Sequence, residues 1–411
     1  MPENPLVAVA AAMRTALSTS LKAAVKDKAG RTARLDIIDM IPDLQRVLIG
    51  ERDTIRNMTW SPLNLVTLQA INRFKIAQNV PLDGSISYKS LSAVCSVNES
   101  QLRRLVRHAM TNRIFYEPEK EQVAHTKASR LLMEDPRMDA WTYFLTDHFW
   151  PVTAKTVDAL QKWPGSQDPK EVGVSLQRGR ETTWFSEIAA ADRGIESFRH
   201  SMEILSEGEG WEDSYLVDNY PWANLGNGTV VDIGGSNGHA SIAIANKFPG
   251  LKFVVQDLHT EGSLAPEHLA ERITFMNYDM FTPQPIKNAD IYFWRVVLHN
   301  HPDASVIKAL RSLVPALKPE AKILIQDHGL TDPGEGRPAD EAHERMMDIM
   351  MLALMNGKER GLEEWRALFK QADPRYSWNG GFRPDGSRLW ILEATWKPIR
   401  TYPVITASLS F

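Results

Sequence analysis

From Thr229 onward the chain alternates short apolar runs with helical segments, and that alternation leaves few folds open. TVVDIGG is followed by HASIAIANKF, KFVVQD, RITFMNYD, DIYFWRVV, SVIKALRSLVPAL and KILIQD. Short β-branched and aliphatic runs separated by amphipathic stretches are the pattern of βαβ units, whose strands lie buried in a parallel sheet. Two further helices are expected over ERMMDIMMLALM and LEEWRALFKQAD. The chain then returns through RYSWNGGF and SRLWILEATW around a turn at Pro384-Asp385-Gly386, a hairpin expected at the sheet edge.

A chain of 411 residues is longer than one ordinary core supports, so two folded units are expected. With 43% hydrophobic and 24% charged residues the composition is that of a globular protein. The net charge of −4 supplies no overall field for a polyanion, so neither nucleic acid nor an anionic membrane surface is an expected partner. Cys95 is the single cysteine, which excludes an intrachain disulfide and a thiolate zinc site and fits a reducing, cytoplasmic location. The opening MPENPLVAVAAAM lacks a basic stretch before its apolar run, so it is not read as a signal peptide, and no run of about 18 uncharged apolar residues argues for a membrane span.

Ahead of the alternating region the periodicity is helical. Apolar residues recur at three and four positions from Leu6 to about Lys28 and from Leu35 to about Arg56, and residues 1–60 are read as amphipathic packing or dimer helices. Between Ser61 and Thr126 a helix (SPLNLVTLQAINRFKIA), a short helix after Ser87, a third helix (NESQLRRLVRHAMT) and a hairpin-like return through Glu117-Pro118 suggest a winged helix. Arg103, Arg104, Arg107 and Arg113 raise a DNA reader as one reading, with the α/β half as a ligand sensor. A solvated helix face is the other. From about Ala140 to Ser206 a helical stretch, broken at Trp163-Pro164-Gly165-Ser166, carries Trp141, Phe144, Phe149, Trp150, Trp184, Phe185, Phe198 and Met202. Most of these are core, and the density suits a site for a flat apolar ligand.

The strongest local feature is Val230-Val231-Asp232-Ile233-Gly234-Gly235-Ser236-Asn237-Gly238, a strand entering a glycine-rich turn. Glycines there let backbone approach a ligand where a Cβ would clash. The dinucleotide spacing G-x-G-x-x-G is not met, and an acid on the strand just before the turn, Asp232, suits a cofactor bearing a cationic amine rather than a pyrophosphate. Asp257, followed by Leu258, closes the second run and can take both hydroxyls of a ribose. Asp279-Met280 closes the third, where a carboxylate can accept from an adenine amino group and Met280 can cover the ring. Three acids at consecutive strand ends converge on one crevice.

The segment from about Ser61 to Trp396 resembles the S-adenosyl-L-methionine (SAM)-dependent O-methyltransferases of the plant caffeic-acid type, most closely their fungal secondary-metabolism relatives. The words that carry the resemblance are AHTKASRLL, SEGEGW, LVDNYPW, VVDIGGSNGHASIAIA, KFVVQDL, DMFTPQP, YFWRVVLHNHPD, GKERGLEEWRALF and RPDGSRLWILEATW. The resemblance implies an α/β fold: a class I methyltransferase Rossmann-like sheet over 206–411, preceded by a mainly helical winged-helix dimerisation and substrate region over 61–205. It implies SAM as cofactor, with Gly234 and Gly235 against its methionine part, Asp257 on the ribose, Asp279 and Met280 on the adenine, and Arg295 alongside. It places the catalytic base at His299, the two acids that orient it at Asp327 and Glu359, and Met202 and Ser206 near substrate. It also implies a homodimer whose helical region closes the partner's pocket. The chain departs from the family at Ser236 and Asn237, usually glycine and threonine, and at Asp327, usually the longer glutamate.

Methyl transfer from a sulfonium needs alignment and deprotonation of the accepting oxygen. A histidine titrating near neutrality can take the hydroxyl proton, an effect of about 10²–10⁴ in rate, while carboxylates behind it fix the tautomer. No metal is expected, and none of the 11 histidines falls in an HExxH spacing. The substrate class suggested is a flat, apolar small molecule, an aromatic or polyketide-derived secondary metabolite bearing a hydroxyl. The alternative is an enzyme that holds SAM without consuming it and steers a dehydration or pericyclic rearrangement by fixed charge.

Overall fold

The structure, a computed structural model, describes residues 5–18, 28–260 and 265–397. The chain forms two compact units, Met1–Leu63 with Pro333–Ala342, and Asn64–Asp332 with His343–Phe411.

In the first unit the expected helices are Pro5–Ser18 and Lys28–Trp60, the rest of the first expected helix, 19–27, lying outside the described residues. The second helix is longer than its apolar period and is interrupted at Gly50 (φ 78°, ψ 166°), a conformation that breaks the i→i−4 ladder. Asp39 ties the later segment to this helix. It pairs with Arg337 at 2.6 Å and accepts the Ala339 N–H at 3.0 Å, satisfying an orphan donor in the first turn of the helix Pro338–Met355.

The helical part of the second unit is built on Ile71, Ile76, Leu91, Leu102, Val106 and Phe115, all buried. The single helix expected over 61–77 is two, Pro62–Arg73 and Ile76–Asn79, because Lys75 turns left-handed at φ 51°. The next two helices start as expected: Ser87 accepts from Ser90 N before Tyr88–Cys95, and the Asn98 side chain accepts from Ser100 N and Gln101 N before Glu99–Thr111. The return segment makes one bridge, Tyr116 to Ala124, and a short strand β2 (Gln122–Val123) that pairs antiparallel with β1 (Ile86–Ser87). Arg103 is engaged by Glu99 and Glu121, and Arg107 by Glu117 and Glu121, so much of the basic face is neutralised within the fold.

The remaining strands form one sheet: β3 (Thr229–Ile233), β4 (Lys252–Asp257), β5 (Ile273–Asn277), β6 (Ile291–Arg295), β7 (Lys322–Asp327), β8 (Tyr376–Phe382) and β9 (Trp390–Trp396), in the order β5-β4-β3-β6-β7-β9-β8. β3 to β7 run parallel, and the closing hairpin adds β9 antiparallel to β7 with β8 at the edge, as its sequence suggests. The central strands β3, β6 and β7 are buried along nearly their whole length because both faces are covered. Along β6, Tyr292 and Trp294 join a core with Trp365 and Phe369 of helix Leu362–Ala372, while Ile291 and Phe293 join Ile244 of helix His239–Lys247 and Trp222 on the opposite face. Strand order reverses between β3 and β6. That switch point opens a crevice at the carboxyl ends of the strands, where ligands bind in open α/β sheets.

Candidate active site

β3 delivers Asp232 and then the glycine turn to the crevice. Gly234 is left-handed at φ 75°, and its N–H and that of Gly235 both donate to Gln256 O at the end of β4. A Cβ on Gly235 would come within 2.7 Å of the Asp232 carboxylate, so the turn lies pressed onto that acid. Asp232 is fully buried. Its Oδ2 accepts from Ser241 at 2.6 Å while Oδ1 has no partner among the described residues, and burial raises its pKa to about 6. An orphaned buried carboxylate oxygen under a glycine turn fits the amino group of SAM.

Asp257 ends β4 and accepts Ser236 N at 2.9 Å and Leu258 N at 2.7 Å, so each oxygen keeps a lone pair for a further donor. Leu258 is exposed. Asp279 and Met280 lie just past the end of β5, with the Asp279 side chain turned onto Phe281 N. Arg295, at the end of β6, is engaged with Asp213, with His239 Nε2 at 2.8 Å and with Trp211 O at 3.2 Å.

After β6 the chain makes a strained turn, since the β-branched Val296 sits at φ 54°. The turn places His299 in the short helix Leu298–Asn300. His299 is 5% exposed; its Nδ1 meets Glu359 Oε1 at 2.7 Å and lies 3.8 Å from Asp327 Oδ1, while its backbone N–H donates to Asp327 Oδ2 at 3.1 Å. The shorter Asp327 thus anchors the backbone of His299, and Glu359 holds the ring. Burial works to lower the His299 pKa, but the Asp327 and Glu359 carboxylates outweigh it and raise it to about 9, above the near-neutral value the sequence suggests. Burial pushes both carboxylates up as well.

The loop that carries Glu359 is clamped to the histidine segment. Lys358 N–H donates to His299 O at 2.9 Å, and a Cβ on Gly357 would meet the same carbonyl at 2.5 Å. The buried Arg360 donates to Asp303, Leu298 O, Lys358 O and His301 O. Gly357 and Arg360 were legible only as neighbours of Glu359 in GKER. Their role needs the carbonyls of a segment some 60 residues away. Met202 lies in the helix Gly194–Leu205, and Ser206 caps that helix with its hydroxyl directed onto the Met202 and Glu203 carbonyls.

A seven-stranded sheet of this order, with an acid in β3, a glycine turn after it and an acid at the end of β4, defines the class I methyltransferase architecture. The O-methyltransferase domain family matches residues 197–374. The chlorophenol O-methyltransferase of Trichoderma longibrachiatum is 37% identical over 86% of this chain and 78% of its own length. The grayanic acid biosynthesis cluster O-methyltransferase of Cladonia grayi is 36% identical over 89% and 78%. Among solved structures, OxaC superposes with a TM-score of 0.76 at 22% identity, covering 95% of this chain and 97% of that one. LepI in complex with SAM reaches 0.73 at 22%, covering 94% and 100%; at this identity both likenesses speak to fold. The chain belongs to the O-methyltransferase family. It is a SAM-dependent O-methyltransferase acting on a small molecule.

Proposed function

We propose that His299 is the general base that takes the proton from an aromatic or polyketide-derived hydroxyl as the methyl group is transferred to its oxygen. The observation that carries this reading is the buried Glu359–His299 pair at 2.7 Å with Asp327 behind it, next to the crevice of the switch point. Glu359 fixes the tautomer in which Nε2 faces outward and stabilises the imidazolium formed, and Asp327 anchors the histidine backbone. SAM, when bound, supplies an electrophilic methyl on a positive sulfur. Asp232 takes its amino group under Gly234 and Gly235, Asp257 its ribose, and Asp279, with Met280 and Leu258, its adenine, Arg295 lying alongside. Met202 and Ser206 line the acceptor side. The non-methylating alternative is not favoured by relatives named for O-methyl transfer.

Incubation with labelled SAM and a panel of phenols and polyketide hydroxyl compounds, chlorophenol included, tests this. S-adenosylhomocysteine should rise one-for-one with a product heavier by one CH₂. Substrate conversion with SAM required but unconsumed would instead assign the rearrangement. His299→Ala should lower kcat by about 10²–10⁴-fold with SAM affinity unchanged; an unchanged rate removes the assignment.

We further infer three regions: 1–60 for packing and dimerisation, 61–205 for dimerisation and substrate, and 206–411 for SAM. The assembly is a homodimer. Its support is the exposed apolar stripe Ile37, Ile41, Val47, Leu48, Ile55 and Met58. A cytoplasmic location is supported by the single buried cysteine.

A further inference from the structure

His328 follows Asp327 at the end of β7 and takes no part in the chemistry described above. Its backbone N–H donates to Asp327 Oδ1 at 3.0 Å, which fixes the start of the loop. Its ring is fully buried, yet neither Nδ1 nor Nε2 has a hydrogen-bond partner among the described residues. Buried polar atoms in folded proteins are paired almost without exception, and an imidazole with both nitrogens orphaned asks for a ligand. The neighbours point the same way. The ring tilts at 31° against His299 with centroids 5.4 Å apart, meets the edge of Trp211 at 5.2 Å, and has the His343 ring at 6.1 Å. A ring nitrogen of His328, one of His299 and a carboxylate oxygen of Glu359 all lie within 4.8 Å of one another, so His328 stands beside the His299–Glu359 pair.

We propose that His328 is a second acceptor-binding imidazole, which hydrogen-bonds a polar atom of the acceptor adjacent to the hydroxyl presented to His299. This deepens the methyl-transfer reading and rests on it. Two oxygens on neighbouring ring carbons are about one hydrogen-bond length apart, and two imidazoles with centroids 5.4 Å apart and planes tilted by 31° can each reach one of them with a bond of about 2.8 Å. Burial, with the positive charge of His299, His343 and Arg388 around it, holds His328 neutral. A neutral imidazole offers one donor and one acceptor, so it accepts a phenol proton or donates to an ether or carbonyl oxygen. The preferred acceptor therefore carries an oxygen beside the methylated hydroxyl, and an isolated hydroxyl leaves His328 unpaired in the complex. Rejection of such analogues is strong where a site is built to hydrogen-bond the missing group.

The test compares 2-methoxyphenol with 4-methoxyphenol, isomers that differ in where the second oxygen lies. Binding to the S-adenosylhomocysteine complex of the full-length protein is measured by calorimetry beside turnover. The wild type should bind the 2-isomer at least tenfold more tightly. His328→Phe should remove that preference, raising KM for the 2-isomer at least tenfold while the 4-isomer moves less than twofold, and His328→Gln, which keeps a donor and an acceptor, should restore most of it. If the phenylalanine variant does not fold, His328→Met serves the same comparison. Binding of neither isomer, equal binding by the wild type, or an equal loss for both isomers in the variants overturns the proposal. Binding with the expected preference but without turnover counts against methyl transfer and leaves His328 assigned.

Discussion

As the proposed general base, His299 ties turnover to pH. With its pKa raised to about 9, the ring carries a proton at neutral pH and becomes a base only as pH rises through that value. For kcat/KM the expectation is therefore a rise from pH 7 toward about 9. Glu359→Gln removes one of the two carboxylates that overcome burial, so the limb of the profile should move to lower pH by at least one unit; a profile that stays in place would detach the shift from Glu359. Asp232 gives a second pH signature of opposite origin. Its pKa of about 6 reflects burial, and only the ionised form pairs with a cationic amine, so SAM should bind more tightly at pH 7.5 than at pH 5, with a proton released near pH 6. Calorimetry in buffers of different ionisation enthalpy checks this. At this scale Asp232, Asp257 and Asp279 stand out in the sequence near strand ends, while His299, Asp327 and Glu359 stand out only through the family resemblance. His328 does not stand out, because its significance is the absence of a partner in three dimensions, and no sequence pattern records that.

Elements matter here mainly where they touch the histidine turn. Gly357 brings the 356–360 loop so close to His299 O that the alanine methyl of Gly357→Ala has only backbone to displace. A stability loss of about 1–3 kcal/mol is expected, with a larger fall in kcat than in SAM affinity, since the loop carries Glu359 and none of the residues proposed to hold SAM. Thermal unfolding and SAM titration of the same variant separate the two. The sheet was legible in the sequence from its apolar runs, and so were the helix starts at Ser87 and Asn98, where a capping side chain is a local signal. The breaks at Gly50 and Lys75 were not. Periodicity continues across both, and a single residue with positive φ leaves the apolar pattern on either side unchanged.

For the molecule as a whole, the exposed side chains of helix Lys28–Trp60 predict association. Val47 is 72% exposed and Met58 70%, values uncommon for large apolar residues on one helix of a monomer. Light scattering should give twice the 46.3 kDa of one chain, and Val47→Asp with Met58→Asp should lower the mass toward the single chain. A dimer unaffected by both changes would place the interface elsewhere. Among the described residues no helix is long and apolar enough to cross a membrane.

Asp36 and Arg337, joined at 2.9 Å, stand 301 residues apart in the chain, and Asp39 grips the same arginine. The unit that holds them is written in two instalments, one before residue 64 and one between Asp327 and Glu359. Such a unit cannot be exchanged between paralogues as a cassette. A chimera whose imported front end lacks acids at positions 36 and 39 leaves Arg337 without these two partners, so crossovers that carry both instalments together should be better tolerated.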